Sequence, residues 1–331
     1  MASSIRTVFA PLSVALCATL FVGTVAGAGQ THYALIATID LPGDKGGDGD
    51  WATFDPDTRT VWLSQSPDHN VVVVDTGTNA IKHVIPGIED GHGIGFSSKY
   101  AFISDNAKNV TVIVDKRTFG PVAVLKPAGK GPNGVVVDPK TGNVFVGSDS
   151  ADMTVFSGKP PFAQIAAFKL SDKPSKEGPD VGVYVRAKDR LYQPIDNAVA
   201  IIDPNQRKVI ATWDVGVKGQ TKPMVFDHKT GRFLLGTTDQ QMLSVDADTG
   251  RVVKAIPVKG KVDETVIDEA ARRAFVGDKA GLIEVVDLDQ EAVVDSLPSE
   301  PNVHTLAVDP GSHSIYVYRN ESNKLDVFAT R

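Results

Sequence analysis

A strand-and-turn motif recurs seven times along the chain, and this repeat strongly limits the folds available. Aligned on the last apolar residue of each first strand, it falls at Phe54, Phe96, Val137, Val185, Phe226, Ile267 and Val308. Successive copies are 42, 41, 48, 41, 41 and 41 residues apart, and the long step contains a polar stretch, 170–178, that predicts a longer surface loop. A period near 40 with several short strands per repeat is typical of a β-propeller. The sequence therefore predicts an all-β, seven-bladed β-propeller.

The copy at 132–156 shows the motif most fully. Its run Val135–Val137 is β-branched and lacks helical spacing, which favours a buried strand. Asp138 and Pro139 then open a turn, and Gly142 supplies a residue that accepts the left-handed conformation. Aspartate recurs at such turns in other copies. Because an aspartate at a turn start can cap its own backbone, we interpret these residues as structural rather than as ligands of a bound group.

The two ends of the repeat region complement each other. The seventh copy, 302–328, ends after its third strand, whereas Tyr33–Leu41 matches the fourth strand of other copies and precedes the first one. An N-terminal strand that completed the last blade would remove an open sheet edge. We therefore expect one propeller domain over residues 29–331, without a second domain or a linker.

Residues 1–28 predict a secretory signal peptide. Arg6 precedes the apolar stretch 8–22, and Ala26-Gly27-Ala28 supplies a small-residue cleavage pattern. The protein is then expected to be periplasmic or secreted, with no membrane span after cleavage. Cys17, the only cysteine of the sequence, would leave with the signal, so the mature chain could form no disulfide.

Two segments resemble the YVTN-type propeller repeat: Asn143–Ser148, continuing to Met153–Phe156, and Ser314–Asn320. The resemblance covers the mature chain and implies an exported seven-bladed propeller close to the lactonase-like group. It is specific for fold and poorly specific for function, because the repeated residues build strands and turns. The net charge of −6 argues against a nucleic-acid partner, and we expect a monomer.

Propellers bind ligands at the central channel, where the first strands begin. Four residues before the aligned column stand Asp50, His92, Asn133, Val181 (preceded by Asp180), Lys222, Asp263 (followed by Glu264) and His304. A first strand that served structure alone would not need polar or ionisable side chains in nearly every copy. We therefore predict a ligand site at the channel mouth, formed by Asp50, His92, Asn133, Asp180, Lys222, Asp263, Glu264 and His304.

Three functions fit this prediction. The favoured one is a non-catalytic exported scaffold that binds a small molecule or a protein at the mouth or at the rim loops 64–70, 104–109 and 148–152. Because imidazole and carboxylate together suit a divalent metal, Asp50, His92 and His304 form a candidate metal site and leave a metal-assisted, lactonase-like hydrolase open. The third function is an accessory protein of a periplasmic redox enzyme.

Overall fold

The residues that the structure describes form 28 strands, which are arranged in seven four-stranded antiparallel sheets. The computed structural model describes Met1 and residues 32–43, 46–47, 49–172, 175 and 178–330. Strand β1 (Tyr33–Asp40) belongs to the last sheet. Blade 1 consists of β2 (Ala52–Asp55), β3 (Thr60–Gln65), β4 (Asn70–Asp75) and β5 (Ala80–Pro86). Blade 2 consists of β6 (Gly91–Phe96), β7 (Tyr100–Asp105), β8 (Val110–Asp115) and β9 (Pro121–Leu125).

The remaining blades repeat this order. Blade 3 consists of β10 (Pro132–Val137), β11 (Val144–Ser148), β12 (Asp152–Phe156) and β13 (Gln164–Lys169). Blade 4 consists of β14 (Val183–Val185), β15 (Arg190–Ile195), β16 (Ala198–Asp203) and β17 (Lys208–Asp214). Blade 5 consists of β18 (Thr221–Asp227), β19 (Arg232–Thr237), β20 (Gln241–Asp246) and β21 (Val252–Pro257). Blade 6 consists of β22 (Val262–Asp268), β23 (Arg273–Asp278), β24 (Leu282–Asp287) and β25 (Ala292–Pro298).

Blade 7 is built from both ends of the repeat region. It consists of β26 (Leu306–Asp309), β27 (Ser314–Arg319) and β28 (Lys324–Thr330), with β1 as its fourth strand. Strands β1 and β28 run antiparallel, with Tyr33 opposite Thr330 and Asp40 opposite Lys324. The predictions of a seven-bladed propeller and of closure by the N-terminal strand are both confirmed.

The hydrophobic core is divided into seven clusters, and each cluster draws its side chains from two neighbouring blades. The second and third strands carry nearly continuous apolar runs, such as Val71–Val74, because both of their faces are covered. Outer strands such as β5 expose most of their residues. Every blade therefore depends on its neighbours for burial, and the ring holds the first strands around the channel.

Two predictions concern segments that the structure describes only in part. The signal-peptide segment, residues 1–28, lies outside the described residues apart from Met1, and so do residues 173, 174, 176 and 177 of the longer loop. Within the described part of the chain, no helix is long and apolar enough to cross a membrane.

Candidate functional site

A polar cavity of ≈ 290 Å³ lies at the mouth of the channel and receives residues from all seven blades. The eight residues predicted from the sequence all line it, together with Trp51, Asp149, Pro223 and Lys279. The structure thus brings the predicted residues into one place. Whether they bind a ligand stays a prediction.

The start of each first strand sets these positions. Four mouth residues are each the second residue of a first strand: His92, Asn133, Lys222 and Asp263. Gly93, the next residue of β6, allows β6 and β10 to approach each other closely. A Cβ atom on Gly93 would lie 2.7 Å from the Asn133 carbonyl oxygen, so only glycine fits beside β10. In blade 4 the short strand β14 begins at Val183, and Asp180 rather than Val181 lines the mouth.

Blades 1 and 2 contribute an imidazole held between two carboxylates. His92 Nδ1 lies 2.7 Å from Asp50 Oδ2, and His92 Nε2 lies 3.3 Å from Asp90 Oδ2. The buried carboxylate of Asp105 accepts hydrogen bonds from the backbone N–H groups of Glu89 and Asp90, at 3.0 and 3.3 Å, and thereby fixes the loop that carries Asp90. The side chain of His92 is 16% exposed, whereas those of Asp50 and Asp90 are 41% and 40% exposed.

These contacts keep His92 protonated. Burial alone would lower the pKa of His92, but the charges and contacts of Asp50 and Asp90 outweigh burial and raise it to about 10. The ring is therefore an imidazolium at neutral pH, with a carboxylate facing each nitrogen. A metal could bind it only after that proton had left.

Blades 4, 5 and 6 contribute a second cluster, in which two lysines share one aspartate. Asp263 Oδ1 lies 2.9 Å from Lys222 Nζ, and Asp263 Oδ2 lies 2.6 Å from Lys279 Nζ. Lys222 Nζ also lies 3.6 Å from Asp180 Oδ2. Burial would raise the pKa of Asp263, but Lys222, Lys279 and His304 outweigh it and lower the pKa to about 2.

Asp180 responds in the opposite direction to the same surroundings. Burial raises its pKa, Lys222 lowers it, and the negative charges of Asp263 and Asp50 raise it, which leaves the pKa at about 7. Asp180 is therefore only partly ionised at neutral pH. Asp263 thus stays fully charged between two lysines, whereas Asp180, near Lys222 alone, is poised between its two states.

Glu264 forms the inner wall of the mouth and is 2% exposed. Its Oε2 accepts a hydrogen bond of 2.7 Å from the backbone N–H of Leu306 in the next blade. Burial raises the pKa of Glu264 well above its ordinary value, and the nearby charges of Asp50 and Asp263 act in the same direction. Burial therefore disfavours the charged form of this carboxyl group, and the hydrogen bond from the Leu306 N–H offsets that effect only in part.

The last two predicted residues are Asn133 and His304, and each contacts a residue of its own blade. Asn133 Nδ2 lies 3.4 Å from Asp149 Oδ1, and Asn106 Nδ2 donates a 2.9 Å hydrogen bond to Asp149 Oδ2. His304 is 5% exposed, and its Nδ1 lies 2.6 Å from the Asn302 carbonyl oxygen, which fits a donated hydrogen bond. The walls of the mouth are therefore held by contacts within and between blades.

Asp149 and Lys279 were missed from the sequence because they do not belong to the first strands. Each directly follows the second strand of its blade, and the corresponding residues of the other blades are Ser66, Asn106, Asp196, Thr238 and Asn320. This second polar column recurs with the same period as the first. Aligning the chain on the ends of the second strands would have found it.

The predicted metal site is brought together in part. Asp50 and His92 are in contact, whereas the ring of His304 contacts the Asn302 carbonyl. Among the residues that the structure describes, no group of three or more His, Cys, Asp or Glu side chains is placed to hold a metal ion. The metal site stays a prediction.

The turn aspartates at the opposite end of the first strands behave as predicted. Asp138 Oδ1 accepts a 2.8 Å hydrogen bond from the backbone N–H of Lys140, and Asp309 Oδ1 accepts one of 2.8 Å from that of Gly311. Gly142 has a φ of 75°, in the left-handed region expected for this turn. These aspartates therefore cap their own turns.

Comparison with known proteins identifies the fold and no closer relationship. No family model and no curated protein matches the chain. A chain of Kuenenia stuttgartiensis hydrazine synthase is similar in structure, with a TM-score of 0.76 and 14% sequence identity over 87% of this chain and 96% of that chain. At this identity the likeness shows the fold alone, and the YVTN-type resemblance stays a prediction.

Proposed function

We propose that this propeller is a binding protein that holds a small polar molecule, positively charged or rich in hydrogen-bond donors, at the channel mouth. The observation that carries the proposal is the cavity of ≈ 290 Å³ into which every blade sends a residue. A concave site with converging polar groups is the usual form of a small-molecule site.

The pairing within the mouth indicates which ligand fits. Lys222 and Lys279 both contact Asp263, and the imidazolium of His92 contacts two carboxylates. The positive groups are therefore already matched by negative ones. The side chain of Asp50 keeps 41% of its surface exposed, that of Lys279 keeps 39% and that of Asp180 keeps 24%, so two of these three exposed groups are carboxylates. What the mouth offers to an incoming molecule is mainly acceptor oxygen.

A bound ammonium group would also act on Asp180. Its pKa of about 7 reflects burial and neighbouring negative charge, and a nearby cation favours the ionised form. Binding of a cation is therefore expected to release a proton from Asp180 near neutral pH. Affinity for a cation should fall as the pH drops below about 7, because the carboxyl must then lose its proton first.

The test compares three molecules with the same four-carbon skeleton: putrescine, butanediol and succinate. We expect putrescine to bind in calorimetric titrations and to raise the melting temperature, butanediol to bind more weakly and succinate not to bind. The double variant Asp50→Asn, Asp180→Asn should lose putrescine binding. The control Asp75→Asn, in an exposed turn of blade 1, should keep it. Equal responses to putrescine and succinate, or full binding by the double variant, would disprove the proposal.

The finer assignments belong to this proposal as well. We place the protein outside the cytoplasm on the strength of the signal-like segment 1–28, and the YVTN-type resemblance supports the same location. The lactonase-like hydrolase and the redox accessory remain alternatives that no particular contact of the mouth favours. The structural neighbour, at 14% identity, supports the fold and no particular reaction.

A further inference from the structure

The channel contains a second cavity that differs chemically from the mouth. Its volume is ≈ 380 Å³, and it extends from Glu264 to the turns at Pro56 and Pro310. Most of its lining is apolar and comes from the first strands of blades 1, 5, 6 and 7, with Phe54, Met224 and Ile267 among the side chains. Trp51, Pro223 and Glu264 line both cavities and so mark their junction.

Glu264 brings an unused polar atom to this junction. Its Oε2 is occupied by the Leu306 N–H, and the Ala52 N–H also lies near the carboxyl group, but Oε1 is buried and receives no hydrogen bond of full geometry from the described residues. Trp51 Nε1, at the same junction, is likewise buried and unpartnered within the described part of the chain. Buried polar atoms in native proteins are nearly always hydrogen-bonded, so such atoms beside an apolar cavity indicate a missing partner.

The chemistry of these atoms narrows the class of that partner. Burial raises the pKa of Glu264 well above its ordinary value and so disfavours its charged form, which makes an uncharged hydrogen-bonding partner the better match for this buried group. An indole N–H donates only, whereas a carboxyl group donates through one oxygen and accepts through the other. A hydroxyl group can satisfy either atom because it both donates and accepts. The apolar walls favour an apolar body, since small-molecule sites lined mainly by hydrophobic side chains take up the apolar part of a ligand.

We propose that the apolar half of the channel binds a small neutral molecule with an apolar body and one hydroxyl group, and that Glu264 is the contact for the hydroxyl. This site adjoins the mouth through Trp51, Pro223 and Glu264, but the proposal does not depend on the function proposed for the mouth. A water molecule is the competing partner for Glu264, and it would leave no preference for a hydroxyl-bearing ligand.

The experiment uses 1-naphthol, naphthalene and naphthalenesulfonate as probes of the folded protein in fluorescence titrations. We expect 1-naphthol to bind about five- to tenfold more tightly than naphthalene, as one net hydrogen bond would give, and the sulfonate not to bind. Val225→Phe, which fills the cavity from β18, should abolish binding of both neutral probes.

Variants of Glu264 test the polar contact. Glu264→Met should bring 1-naphthol down to the affinity of naphthalene and leave naphthalene unchanged, whereas Glu264→Gln keeps a hydrogen-bonding group and should stay within about threefold of the natural protein. Lys279→Met, in the mouth but outside the apolar cavity, should change neither affinity. A thermal melt confirms that each variant is folded.

Several results would overturn the proposal. Failure of both neutral probes to bind the natural protein would show that the cavity is no binding site. Equal affinity for 1-naphthol and naphthalene would show that Glu264 pairs with water alone. Unchanged binding in Val225→Phe, or an equal loss in Lys279→Met, would place the probe elsewhere.

Discussion

The two ends of strand β22 carry acidic residues with opposite behaviour. At the turn end, Asp268 is fully buried, accepts the backbone N–H of Ala271 at 3.0 Å and lies 2.6 Å from His313 Nδ1 in blade 7. At the mouth end, Glu264 is equally buried but accepts the Leu306 N–H through one oxygen and leaves the other without a hydrogen bond of full geometry from the described residues. The two carboxyl groups are therefore equally buried, but they differ in the hydrogen-bond donors that reach them.

Asp227 of β18 shows what a full set of donors does. Arg272 donates to both of its oxygens, at 2.7 and 2.8 Å, and the Thr230 hydroxyl and Lys229 N–H add two further hydrogen bonds. Burial would raise the pKa of Asp227, but these donors outweigh it and lower the pKa. The comparison teaches that a carboxylate at a turn is completed by the protein itself, whereas a carboxyl at the mouth keeps capacity for another molecule.

The largest effect should come from breaking a completed turn carboxylate. Arg272→Ala leaves Asp227 buried without its charge partner, and we expect the free energy of unfolding to fall by about 3 to 5 kcal/mol in urea denaturation. Lys229→Ala is the matched control, since its ion pair with Asp289 is exposed on both sides and should contribute less than about 0.5 kcal/mol. Similar small losses of stability in both variants would mean that the cations do not stabilise the buried turn aspartates.

A smaller effect, of opposite sign, should follow from replacing Glu264. The folded-state pKa of Glu264 lies above its ordinary value of 4.5, so the folded state binds its proton more tightly and loses stability as the pH rises above 4.5. Glu264→Gln removes this loss. We expect the variant to gain stability over the natural protein as the pH rises from 4.5 to the folded-state pKa of Glu264, and the difference to stay constant above it.

Denaturation curves at several pH values test this expectation, with Glu321→Gln, at an exposed position, as the control. Parallel stability profiles of the Glu264→Gln variant and the natural protein would show that Glu264 is ionised in the fold, and the comparison between the two ends of β22 would then fail.

The contribution of His92 to stability should depend on pH through the titration of an imidazole, which is a base, rather than of a carboxyl group. The pKa of His92 is raised from 6.5 to about 10, so its stabilising contribution is complete below pH 6.5 and disappears as the pH rises toward 10. His92→Gln should cost about 2 kcal/mol at pH 6, the scale of hydrogen bonds to a charged group. The difference between the two proteins should vanish near pH 10. A cost that is independent of pH would indicate packing rather than charge.

The smallest expected effect concerns the coupling across the mouth. The charge of Asp50 is one of the minor causes that raise the pKa of Asp180 to about 7. Asp50→Asn should therefore lower the pKa of Asp180 slightly, as followed by NMR titration of the side-chain carboxyl. Asp75→Asn should leave it unchanged. If the pKa of Asp180 does not respond to Asp50→Asn, the charge of Asp50 does not act on Asp180 across the mouth.

The sequence was sufficient for the fold and for the first-strand half of the mouth. The spacing of the column from Phe54 to Val308 gives the number of blades. The residues four positions before this column, such as His92 and Lys222, lie at the mouth because first strands of similar length begin at a similar distance from the turns that follow them. In blade 4 the column falls on Val181, and the predicted residue that lines the mouth is Asp180 just before it, because β14 is short and follows the longer loop.

Spacing could not predict the ionisation of these residues. Asp263 and Glu264 are neighbours in the sequence, yet the pKa of one falls to about 2 and that of the other rises well above 4.5. The pKa of Asp263 falls because Lys222 and Lys279 contact it, whereas that of Glu264 rises because burial outweighs the hydrogen bond from the Leu306 N–H. Such partners are set by the packing of blades, which a single repeat does not encode.

The pairing of β1 with β28 has a consequence for how the protein is made. Synthesis delivers blades in order, but the residues at the two ends of the ring meet only after Thr330 has emerged opposite Tyr33. The contact between Thr305 Oγ1 and the Gly49 carbonyl, which joins blades 7 and 1, belongs to this last step. A molecule that touches several blades therefore binds only the finished ring and stabilises it by mass action. Such a ligand would therefore favour the closed ring over an open arc of blades.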